Sequence, residues 1–178
     1  MSEDPAAAAD PIEIVLRPAT PADADEIVRL LRGLTEHLGQ PPVRGTTAAD
    51  VVTYGFGERP AFEAILAVRA AGGGGRAVGL ALYFFTFSTW RGRPGVYVQD
   101  LFVEPAERGR GLGRRLLAAV AAAGASRSGC DHLRLSVALA NLDAQKFYHR
   151  LGMEPAEADI IYHLGDAAFN ALVAAGER

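Results

Sequence analysis

The chain has 178 residues, a formal net charge of −3, 49% hydrophobic residues and 22% charged ones. This length suits a single domain with a sizeable core, the composition is that of an ordinary globular protein, and the charge gives no overall attraction to nucleic acid. A single cysteine, Cys130, excludes an intrachain disulfide and a multi-cysteine metal site, and reads as a small core residue.

Met1 to Asp10 is acidic and alanine-rich, with neither the basic nor the apolar region of a secretory signal. Residues 1–11 therefore read as a disordered lead-in to one domain over 12–178. No apolar run reaches the ~20 residues that span a bilayer, so a cytoplasmic protein with no membrane partner is expected.

Ile12 to Arg17 alternates as a half-buried strand. Thr20-Pro21-Ala22-Asp23 then gives a capping threonine, a proline at the first helical position and an acid three residues after the cap. Ile27, Leu30, Leu31, Leu34 and Leu38 follow at helical spacing. Gly39 and Pro41-Pro42 end that helix, and Thr47-Ala48-Ala49-Asp50 caps a second, short one that stops near Gly55-Phe56-Gly57.

Phe62 to Arg69 reads as a strand, residues 71–76 as its hairpin loop, and Val78 to Phe87 as a long apolar strand. A loop over Ser88 to Gly95 carries Trp90, and Val96 to Val103 forms the next strand. A glycine turn at 109–113 leads into a helix through Leu116, Leu117 and Val120, which Gly124 and Gly129 weaken. His132 to Leu139 is expected as a strand. Asn141 opens a helix through Phe147, Tyr148 and Leu151 that ends at Gly152. Ile160 to Leu164 and Asp166 to Ala175 are a last strand and helix.

Three successive strands on short loops imply antiparallel pairing, whereas the strand–helix–strand of 96–139 implies a parallel neighbour with a right-handed crossover. The expected fold class is α/β (α+β): a mixed, mostly antiparallel central sheet with helices on both faces.

The chemistry concentrates in Val103-Glu104-Pro105-Ala106-Glu107-Arg108-Gly109-Arg110-Gly111-Leu112-Gly113-Arg114. Its glycines admit conformations that side chains forbid, and the helix that follows aims unpaired N–H groups and its positive dipole end at the turn. Arg108, Arg110 and Arg114 add charge, so the stretch reads as a pyrophosphate seat built mostly from backbone. A Walker A loop would need Gly-Lys-Ser/Thr where Gly113 precedes Arg114, and a dinucleotide fingerprint would need glycine where Arg108 stands. A tight strand-to-helix connection with surface arginines is the plainer alternative. The histidines at 37, 132, 149 and 163 show no metal-ligand spacing, so no metal is expected.

Arg108-x-x-Gly111-x-Gly113 after Asp100-Leu101-Phe102-Val103 resembles the acyl-CoA signature of the GNAT superfamily of N-acetyltransferases. The run from Asn141 through Ala144, Phe147 and Tyr148 to Leu151-Gly152 is similar to that superfamily's later helix. Leu16 to Thr20, Gly55 to Pro60 and Tyr83 to Gly92 narrow the likeness to the diamine (spermidine/spermine) acetyltransferase branch, over nearly the whole chain after residue 12. The resemblance implies a splayed pair of parallel strands, acetyl-CoA as co-substrate, a small-molecule amine as partner, and a homodimer.

On that resemblance, the main chain of Leu101 and Val103 would bind pantetheine, and an N–H at Phe102 or Val103 would polarise the thioester carbonyl. Gly109, Gly111, Leu112 and Gly113, with Arg108, Arg110 and Arg114, would hold the pyrophosphate. Tyr148 would protonate the departing thiolate, a phenol being matched in pKa to an alkyl thiol. Asn141 and Ala144 would touch the cofactor, although capping alone explains Asn141.

The acceptor side departs from the diamine branch. Gln99 stands where those enzymes carry a glutamate; it can orient water but cannot take a proton. Ser88 replaces an expected aspartate, and Glu36 to Gln40 keeps little acidic character. His37, Trp90, Gln99 and Asp100 are the substrate-side candidates, with alternation placing Asp100 on the opposite strand face from Gln99. A monoamine, an amino acid or its derivative fits as well as a diamine, with Arg44 or Arg91 available to a carboxylate. Acetylation of a protein lysine or N-terminus, or silent acyl-CoA binding, are the competing readings.

Overall fold

The computed structural model describes residues 13–39, 45–70, 75–156 and 162–176. The expected lead-in, the Pro41-Pro42 stop, Arg44 and most of the 71–76 loop lie outside them. The chain divides into two compact units, Met1–Asn141 and Leu142–Arg178.

The first unit is a five-stranded sheet in the order β1 (Ile14–Pro18), β2 (Glu63–Arg69), β3 (Arg76–Ser88), β4 (Arg93–Val103), β5 (Leu133–Leu135). β1 to β4 pair antiparallel, and β5 joins β4 in parallel, as the connection lengths require. Between them run α1 (Ala24–His37), α2 (Ala48–Phe56) and α3 (Leu112–Ser128).

Both expected caps form. Asp23 accepts from the Thr20 N–H and hydroxyl, each at 2.8 Å, and from Arg17; Thr47 and Asp50 exchange bonds reciprocally at 2.9 and 3.2 Å. The first turn after Thr20, Pro21–Asp23, is a tighter 3-10 turn before α1 begins.

Alternation gives the sheet two apolar faces. Leu66, Val68, Leu80, Leu82 and Phe102 form one core with Ile27 and Leu30 of α1 and Val51 of α2. On the other face α3 lies so close that a Cβ on Gly79 would meet Leu116 at 3.2 Å, and one on Gly124 would meet Val96 at 2.5 Å. Gly124 thus does not weaken α3, which runs unbroken to Ser128; it lets the helix approach β4. Gly129, left-handed at φ 64°, ends it.

Two strand expectations are corrected. β5 keeps only Leu133–Leu135 of the expected 132–139, because its pairing with β4 stops there. Tyr162 to Leu164 carry no strand, and 160–161 lie outside the described residues. Trp90 sits in a tight turn, Thr89 to Gly92, since β3 and β4 extend further toward each other than their apolar runs suggest.

The second unit holds α4 (Leu142–Arg150) and α5 (Asp166–Gly176). α4 closes as expected: Gly152 is left-handed at φ 80°, and the Met153 N–H returns to the Tyr148 carbonyl at 3.1 Å.

Candidate active site

The paired register of β4 builds the site. Opposite β3, Leu82 faces Asp100 but Tyr83 faces Val98, so Gln99 is an extra residue in a β-bulge. On the other edge β4 pairs with β5 only through Val96, Tyr97 and Val98. Beyond the bulge the parallel strands part, which gives a fork whose crotch lies at Gln99.

Main-chain direction follows from two hydrogen bonds. The Val96 N–H donates to His132 on the β5 side at 3.0 Å, and the Glu104 N–H to Val78 on the β3 side at 3.0 Å. Alternation, advanced one residue by the bulge, turns the main chain of Leu101 and Val103 to the edge that β5 has left. Unpaired peptide groups along such an edge match the amides of a pantetheine arm. The Val103 carbonyl already accepts from Arg108 Nε at 2.9 Å, leaving its N–H.

β4 runs into the glycine turn. Gly109 and Gly111 are left-handed at φ 78° and 74°, and a Cβ on either would touch nothing within 4 Å, so backbone conformation alone calls for glycine. The first helical bond of α3 runs from Arg115 N–H to Gly111 at 3.1 Å. The N–H groups of Leu112, Gly113 and Arg114 precede it and have no acceptor within the helix. Leu112 buries its side chain in the core, so its N–H is what it can offer. With Arg110 and Arg114 exposed beside it, the turn suits a pyrophosphate.

The turn is anchored by a residue that composition does not reveal. Glu107, 2% exposed, ion-pairs with Arg69 at the end of β2 and with Arg110 at 3.3 Å. An acid inside a basic loop is the only sequence signal that could have found it.

His37, expected on the acceptor side, lies at the turn: its Nε2 is 3.2 Å from Arg108 Nη1. The Arg108 guanidinium stands 5.7 Å from the centre of the Phe102 ring, and Phe102 packs where a Cβ on Gly33 would be. Arg108 is thus held by β4 and the end of α1 together. Trp90, 99% exposed, stands at the far end of β4, separated from Gln99 by the strand from Arg93, about 20 Å at strand rise. The structure does not bring it to the fork within one chain.

The bulge also sets which side chains share a face. Tyr97 pairs with Phe84, and the two rings stack at 5.1 Å; Asp100 pairs with Leu82, which shares Phe84's face. Three residues apart, Tyr97 and Asp100 would face opposite ways on a regular strand; the extra residue puts both on the α1 side. The expected alternation of Gln99 and Asp100 therefore does not apply here. Tyr97 Oη donates to Ser136 Oγ at 2.9 Å, just past the last β4–β5 pair. Burial pushes the Asp100 carboxyl above its ordinary value.

Asn141, last residue of the first unit, donates its N–H to Ala138 at 2.8 Å. In the second unit Ala144 and Tyr148 lie on α4. Phe147 and Tyr148 are both half-buried, their ring centres 5.2 Å apart, and burial raises the phenol's pKa.

Among the described residues no group of three or more His, Cys, Asp and Glu is placed to hold a metal, and no helix is long and apolar enough to cross a membrane.

Residues 34–153 match the acetyltransferase (GNAT) family. The chain is 34% identical over 145 residues to thialysine N-epsilon-acetyltransferase of Bos taurus, covering 79% of this chain and 84% of that one. It is 28% identical over 152 residues to spermidine/spermine N(1)-acetyltransferase-like protein 1 of Homo sapiens, covering 84% of this chain and 22% of that one. Its fold is shared with an integron cassette protein from the mobile metagenome of V. cholerae, at a TM-score of 0.72 and 21% identity over 90% of this chain and 97% of that one. A forked β4–β5 pair, a basic glycine turn at a helix start and this sequence match agree: the chain belongs to the acetyltransferase (GNAT) family and is an acetyl-CoA-dependent N-acetyltransferase.

Proposed function

We propose that the acceptor is a small amine with a single ammonium group to be acylated, of the lysine side-chain type, rather than a polyamine. The observation that carries this is the charge beside the fork. A polycation is best held by several carboxylates, yet Gln99 stands at the fork where the diamine branch is acidic, leaving Asp100 as the one acid of β4. The likeness to thialysine N-epsilon-acetyltransferases, 34% in Bos taurus and 35% in Mus musculus, points the same way.

In this reading acetyl-CoA lies along Leu101 and Val103 with its pyrophosphate at Gly109 to Arg114. Its thioester carbonyl meets the Val103 N–H rather than that of Phe102, whose main chain alternation turns to β3. Fixing the long co-substrate contributes through positioning of the reacting carbon, and Gln99 orients water at the crotch. Tyr148 protonates the leaving thiolate, and Asn141 and Ala144 contact the cofactor; for these three the family motif is the support. We read 12–178 as one functional domain, because the family match at 34–153 runs across the division at Asn141. A homodimer in the cytoplasm belongs to the same proposal and rests on the resemblance.

The test is acetyl-CoA-dependent thiol release with thialysine, lysine, spermidine, a short diamine and a lysine peptide as acceptors. The lysine-type amino acids should give the highest kcat/KM. Spermidine or the peptide exceeding them by about tenfold, equivalent to ~1.4 kcal/mol in the transition state, would overturn the assignment.

A further inference from the structure

An alkylammonium acceptor must lose a proton before its nitrogen can attack, and Gln99 cannot take it. The structure narrows the alternatives among the described acids of the first unit that the fold at least partly buries, of which Asp23 is held by Arg17 and Asp50 by Thr47. Glu104 is held by Arg29 and Arg76, and Glu107 by Arg69 and Arg110. Glu63 is held by Arg127 and the Tyr83 hydroxyl. Glu26 pairs with Arg29 and accepts the Ala77 N–H. His37 is engaged with Arg108 at the cofactor turn. The Tyr97 hydroxyl donates to Ser136. The Asp100 carboxylate has no hydrogen bond or ion pair to any described residue. It follows the bulge directly, at the crotch of the fork, and shares its face with Tyr97.

We propose that Asp100 is the catalytic base of this enzyme, the β4 bulge having turned its carboxylate onto the Tyr97 side of the fork to take the proton that Gln99 cannot. The step balances without a further reactant. The ammonium gives one proton to the Asp100 carboxylate, and the freed nitrogen lone pair attacks the thioester carbonyl carbon. The tetrahedral intermediate collapses, and the C–S bond breaks with its electrons on sulfur. Asp100 passes the first proton to water and then takes the nitrogen's second surplus proton out by the same route, while Tyr148 protonates the thiolate and recovers its own proton from solvent. Amide, CoA thiol and one net proton are the products. A carboxyl that burial holds above its ordinary value is a stronger base than a solvated one, which suits this role.

This inference rests on the amine-acetyltransferase reading, and its test begins from a wild-type enzyme active on an alkylamine. A wild type inactive across the acceptor panel would overturn that reading and leave nothing for a base to do. With activity in hand, Asp100→Asn, which preserves shape, should lower kcat on the order of 100-fold for the alkylamine with little change in the KM for acetyl-CoA. The loss should shrink to less than about threefold for a weakly basic acceptor such as hydroxylamine, which is already neutral at the assay pH. Formate added to Asp100→Ala should restore part of the alkylamine rate.

Removing a destabilised charge should leave the melting temperature of Asp100→Asn at pH 7 unchanged or higher, so lost activity would not reflect lost fold. An equal loss for basic and weakly basic acceptors, or a rise in acceptor KM alone, would make Asp100 a binding group and overturn the proposal. So would a wild-type rate in Asp100→Asn.

Discussion

Replacing Glu107 by alanine tests whether the cofactor turn is held by a buried charge. The side chain is 2% exposed and ion-pairs with Arg69 and Arg110. Removing one member of a fully buried pair costs about 3–5 kcal/mol, most of it the stranding of the other charge. Here the arginine side chains are 39% and 72% exposed, so both can return to water once released. That places the loss below this range, at about 2–3 kcal/mol. At about 2–4 °C per kcal/mol for a chain of this size, the melting temperature should fall by roughly 4–12 °C. Thermal unfolding followed by circular dichroism measures this, and acetyl-CoA titration of the folded variant should show weaker binding, because the turn has lost its tie to β2. Arg110→Ala serves as the control: at its exposed end of the network it should move stability by no more than about 1 kcal/mol. A fall of less than about 2 °C in Glu107→Ala, or an equal fall in Arg110→Ala, would refute the buried-anchor argument.

Two further outcomes follow from other parts of the fold. Asp23 is held well below the usual carboxylate range, first by the Arg17 hydrogen bond and then by Thr20, so its ionised form favours the folded state. That contribution is present above the unfolded value near 4 and lost as pH falls through the lower folded one; Asp23→Asn should cost ~1 kcal/mol at pH 7 and progressively less below pH 4, in paired thermal melts. Gly124→Ala improves helix propensity by about 1 kcal/mol but sets a Cβ 2.5 Å from Val96 Cγ2, and overpacking typically costs 1–3 kcal/mol. The variant should therefore be less stable in urea; a stabilised one would mean that α3 does not press on β4.

What lay open in the sequence is what neighbouring residues decide among themselves. Thr20-Pro21 and Thr47-Asp50 mark helix starts because the partners are three residues or fewer apart. Gly109 and Gly111 mark a left-handed turn because the demand is on their own backbone. The α3 start and the basic charge beside it, and with them the acyl-CoA signature, are equally local.

Long-range pairing decided the rest. No property of Gln99 announces a bulge; the extra residue exists only relative to the register of β3, and it alone puts Tyr97 and Asp100 on one face. The shortness of β5 comes from the parting of two strands that a helix separates in sequence. His37 reads equally well as an acceptor-side group until α1 packs its end against Phe102 and Arg108. Glu107 resembles any surface acid until the end of β2 brings Arg69 over it. Local propensity acts over a few residues, whereas a site's electrostatics depend on which distant groups the packed chain brings within a few ångströms.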